Sequence, residues 1–179
     1  MGALDVWQEK LKRLFTVSLS EFNPFKQEET YVCVDIGSST IKMVDVRSVG
    51  SGIEIIHWGA TPAPESAIQS NMVAEPERVG QCIRSLLESK GVTSKKAITA
   101  VPGPAVMIKR VTLPIQGAQE LENTILFEAG NFIPEDLENV NLDYQVVERR
   151  EDSNQMEVLL VAAKKDIVGT YGEALRVAG

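Results

Sequence analysis

Apolar and polar positions along this chain follow two periods, and the changes of period divide it. From Tyr31 to Gly59 the period is near two, which predicts three strands in a meander. The first begins Tyr31-Val-Cys-Val-Asp-Ile and meets the second through Gly37-Ser-Ser-Thr40. The second meets the third, Ile53-Glu-Ile-Ile-His-Trp58, through Ser48-Val-Gly-Ser-Gly52. Between Glu75 and Lys90 the period becomes helical. Val79, Cys82, Ile83, Leu86 and Leu87 form one stripe, Pro76 suits a first turn, and Gly91 suits the position just past the end. Lys96–Val101 then reads as a short strand, and Pro102-Gly103-Pro104 as the boundary after it.

A second set of elements follows. Val106–Leu113 is a strand. Ala118–Phe132 is a helix with Leu121, Ile125, Ala129 and Phe132 on one face, ended before Pro134. Asn139–Val147 alternates Val140, Leu142, Tyr144 and Val146, which predicts a half-buried strand. Glu148–Gln155 reads as a polar turn, and Val158-Leu-Leu-Val-Ala-Ala163 as a fully buried strand. Asp166 is placed to cap a last helix bearing Ile167, Tyr171, Leu175 and Ala178. Ahead of all this, Leu4, Trp7, Leu11, Leu14 and Phe15 recur at helical spacing, and Asn23-Pro24 breaks the pattern. Residues 1–30 are therefore expected to be a helix and a linker, the helix docking on protein or forming an arm. The order is β-β-β-α-β, then β-α-β-β-α, a mixed α/β (α+β) chain.

Composition narrows the function. A net charge of −7 argues against general nucleic-acid binding. Eleven acidic residues against Arg149 and Arg150 lie between Glu120 and Glu157, which reads as a solvated acidic face. No apolar run is long enough to span a bilayer, and the N-terminus lacks a basic start followed by an apolar core. Cys33 and Cys82 both sit in apolar stripes and are expected to be small buried hydrophobes of a reducing compartment. With one histidine, His57, no metal-site spacing exists, and His57 is given no role.

The chemistry sits at the first hairpin. Asp35 ends the first strand, Gly37-Ser38-Ser39-Thr40 turns, and Lys42 lies seven residues beyond Asp35. Successive backbone N–H groups in such a turn make an anion-binding concavity, and Ser38, Ser39 and Thr40 add hydroxyl donors. Gly37 leaves room for the backbone to turn sharply and approach an anion. Asp35 would repel phosphate, so its suitable task is to hold a hydrated Mg²⁺ through water. No Gly-Lys-Ser/Thr opens a helix here, so this is not a P-loop. A plain hairpin with this turn satisfies the same pattern.

The stretch resembles the first phosphate motif of the actin-like ATPases, Asp-x-Gly-Ser/Thr in a β-hairpin. Further along, Ala100-Val-Pro-Gly-Pro-Ala-Val-Met-Ile-Lys-Arg-Val-Thr-Leu-Pro114, Phe132-Ile-Pro-Glu-Asp-Leu137, Leu142-Asp-Tyr-Gln145 and Val158-Leu-Leu-Val-Ala-Ala-Lys-Lys165 resemble the PilM family of type IV pilus assembly. The resemblance covers about Tyr31 to Gly179. It implies a partial actin-like (ribonuclease H-like) subdomain 1A over residues 31–104 and a strand-helix-strand-strand 1C module over residues 105–179. It also implies a cytoplasmic protein, peripheral to the inner membrane through its partners. Those partners are the cytoplasmic N-terminal peptide of PilN and other pilus assembly proteins. ATP and Mg²⁺ would be bound by the full-length protein, at most a weak ATPase. Asp35, Gly37, Ser38, Ser39, Thr40 and Lys42 would contact the nucleotide, and no catalytic residue is assigned. The second phosphate motif and adenosine pocket of that family are missing, so an N-terminal fragment that binds no nucleotide tightly is expected. A fifth strand is missing too, so Ala97–Val101 would be an open edge that favours self-association. An FtsA-like cell-division homologue, a sugar-kinase-type phosphotransferase and a nucleotide-free interaction module are the alternatives.

Overall fold

The computed structural model describes residues 30–49, 52–70 and 72–179. The helix expected within residues 1–30 lies outside them, apart from Thr30. The described residues form two compact units, 102–168 and, in the other, those of 30–101 with 169–179.

In the first unit, β1 (Thr30–Ile36), β2 (Thr40–Val49) and β3 (Gly52–Pro62) form the expected meander. β6 (Ala97–Thr99) adds to β1 in parallel, giving the order β3-β2-β1-β6. A parallel pair needs a crossover, and α1 (Pro76–Ser89) lies within it. The helix follows its stripe: Val79, Ile83 and Leu86 are buried, Pro76 is in the first turn, and Gly91 takes a φ of +69° beyond the end. Val32, Val34, Ile36, Ile41 and Met43 are buried on one sheet face. Leu86 of α1 and Lys90, the residue just after the helix, lie directly over Gly59 on that same face, since Gly59 is the partner of Met43.

Three local readings change here. β3 runs on to Pro62 and is mostly exposed, with Gly59 its one buried residue. A small hairpin, β4 (Ile68–Gln69) with β5 (Met72–Val73), precedes α1 and buries Ala67, Ile68 and Val73. Two-residue strands leave no period to read. Both cysteines are half-buried rather than buried; burial still raises the pKa of the Cys33 thiol, and the Cys82 thiol donates to the Pro62 carbonyl at 3.6 Å.

In the second unit, β7 (Val106–Pro114), β8 (Val140–Arg150) and β9 (Gln155–Lys164) form an antiparallel sheet of order β7-β9-β8. α2 (Ala118–Phe132) packs Leu121 and Ile125 against Met156, Val158 and Leu160. Its last turns place Ala129, with Ile133, against Val140 and Ala162. β9 is half-buried, not fully buried. Met156, Val158, Leu160 and Ala162 face the helix, while the residues between them are partly exposed, because α2 covers one face. The turn read over Glu148–Gln155 is shorter, since β8 continues to Arg150.

α3 (Lys165–Ala178) starts in the second unit, and its residues from Gly169 belong to the first. The expected boundary kept residues 105–179 together. Instead Tyr171, Ala174 and Ala178 are buried, and the Arg84 guanidinium of α1 donates to the Val177 carbonyl. Asp166 sits inside the first turn, where its carboxylate accepts the Ile167 amide at 2.7 Å.

Candidate functional site

The β1–β2 turn is built by strand register. Seven consecutive pairs run from Thr30–Arg47 to Ile36–Ile41, and they set Asp35 opposite Lys42. The Lys42 ammonium donates to the Asp35 carboxylate at 3.0 Å, and both side chains are largely exposed. Such a pair contributes about 0–1 kcal/mol, so either partner can turn to a ligand at little cost.

The Gly37 amide donates to the Thr40 carbonyl at 3.2 Å and closes the turn. The Ser39 carbonyl accepts the Ala63 amide at 3.0 Å, tying the turn to the end of β3. The amides of Ser38 and Ser39 have no acceptor among the described residues, and both residues are exposed. Gly37 has a reason to be glycine that differs from the expected one. A β-carbon there would stand 2.8 Å from the Thr40 carbonyl oxygen, so the turn itself excludes a side chain. All six expected residues thus lie together at one end of the sheet.

Tyr171 also belongs to this neighbourhood. Burial first, and then the charge of Asp35, holds its hydroxyl above the ordinary phenol range. In the sequence Tyr171 reads only as one position of an apolar stripe. A second polar feature lies away from the turn. The Asp45 carboxylate, almost fully buried, is 3.0 Å from His57 Nδ1, while its other oxygen has no partner among the described residues. This gives His57 a structural role.

Among the described residues no three His, Cys, Asp or Glu side chains gather to hold a metal. Within the described turn, residues 35–42, Asp35 supplies the one carboxylate. That suits Mg²⁺, which keeps several waters and takes few protein ligands.

The chain has a mixed α/β fold that corresponds to part of an actin-like fold. The profile of the family described as type IV pilus assembly protein PilM matches residues 33–179, and the chain belongs to that family. Its structure is similar to a chain of a PilM–PilN type IV pilus biogenesis complex, with a TM-score of 0.73 and 28% identity. The match covers 86% of this chain and 45% of that one, so the chain spans less than half of that relative. The cytoplasmic domain of EpsL, an inner-membrane component of the Vibrio cholerae type II secretion system, shares the fold. It matches at TM-score 0.51 and 15% identity, over 84% of this chain and 54% of that one. No helix among the described residues is long and apolar enough to cross a membrane.

Proposed function

We infer that this chain acts in type IV pilus assembly, as part of a cytoplasmic actin-like scaffold held at the inner membrane by its partners. The observation that carries this is the match to the PilM–PilN complex, at a TM-score of 0.73, over most of the described chain. The partners are the cytoplasmic N-terminal peptide of PilN and other pilus assembly proteins.

In the complete protein the β1–β2 turn receives the phosphates of ATP. The Ser38 and Ser39 amides and the hydroxyls of Ser38, Ser39 and Thr40 donate to phosphate oxygens. Lys42 leaves Asp35 to meet phosphate charge, and Asp35 holds Mg²⁺ through water. Bound Mg²⁺ supplies charge neutralisation for the phosphates. The role is positioning and assembly, with at most weak ATP hydrolysis, and this chain alone holds ATP weakly.

Calorimetric titration of the PilN cytoplasmic peptide and of Mg-ATP into this chain and into a full-length relative tests the reading. Peptide binding by the full-length protein, and Mg-ATP binding there but only weakly here, is expected. A full-length protein that binds peptide but no nucleotide would leave an interaction module. Absence of peptide binding by the full-length protein would overturn the proposed partner.

A further inference from the structure

We draw no further inference here: the strongest candidate, the solvent-facing side of α2 around Phe127, is a single exposed aromatic side chain on a helix whose charged residues are all acidic, and nothing in the structure shows what covers it.

Discussion

Gly80 of α1 lies against Ala174 of α3 so closely that a β-carbon at residue 80 would stand 2.5 Å from the Ala174 carbonyl oxygen. Val177 crowds the same point, also at 2.5 Å. Helices meet at this distance only where one of them lacks a side chain. Gly80→Ala gains helix propensity yet is expected to cost about 2 kcal/mol net, because one clashing atom is backbone. Urea denaturation measures this. Adding Val177→Ala should recover only part, since the residue-177 β-carbon and the Ala174 carbonyl both remain, and full recovery would place the strain on the Val177 γ-carbons alone.

The buried Asp45 carboxylate depends on His57. Removing the histidine leaves a buried acceptor without its partner, which costs about 2 kcal/mol. His57→Ala should show that loss in denaturant midpoint. Asp45→Val together with His57→Ala should return most of it, since no buried carboxylate remains. Equal stability of wild type and His57→Ala would mean the pair contributes nothing.

The β1–β2 turn makes a prediction for stability as well as for the proposed binding. Gly37→Val forces a side chain onto the Thr40 carbonyl, and a loss of about 1–3 kcal/mol is expected from such overpacking. In a full-length protein it should also abolish Mg-ATP binding. Asp35→Ala should leave the fold intact and weaken Mg-dependent nucleotide binding more than Mg-free binding. Calorimetry with and without the metal separates the two, and an equal loss in both would remove the carboxylate from the metal's surroundings.

Tyr171 offers a pH readout of the same region. Its folded-state pKa is raised, by burial and by Asp35. A raised pKa stabilises the fold below the ordinary tyrosine value, and that stability is lost as pH rises through the folded value. Stability should therefore fall from about pH 10 upward. Asp35→Asn removes the repelling charge, so the Tyr171 pKa should drop toward the ordinary value in an alkaline NMR titration. An unchanged value would separate Tyr171 from the turn.

Much of this molecule could be read from residue order. The α1 stripe through Val79, Ile83 and Leu86 and the α2 stripe through Leu121, Ile125 and Ala129 became buried faces, because helical period records which side meets a core. The placing of Asp35 and Lys42 on either side of one tight turn was also legible, and the strand register then set them opposite each other. Tertiary structure decided the rest. The Asp45–His57 pair crosses two strands at a bulge that no local pattern announces. Ile53, Ile55 and Trp58 read in sequence only as part of a strand, and they stay in water because α1 covers the other face. α3 reads as the close of the second unit, but its end is buried against α1 at Gly80. Sequence determines which side of an element is apolar; which apolar side finds a partner depends on packing between residues far apart in the chain.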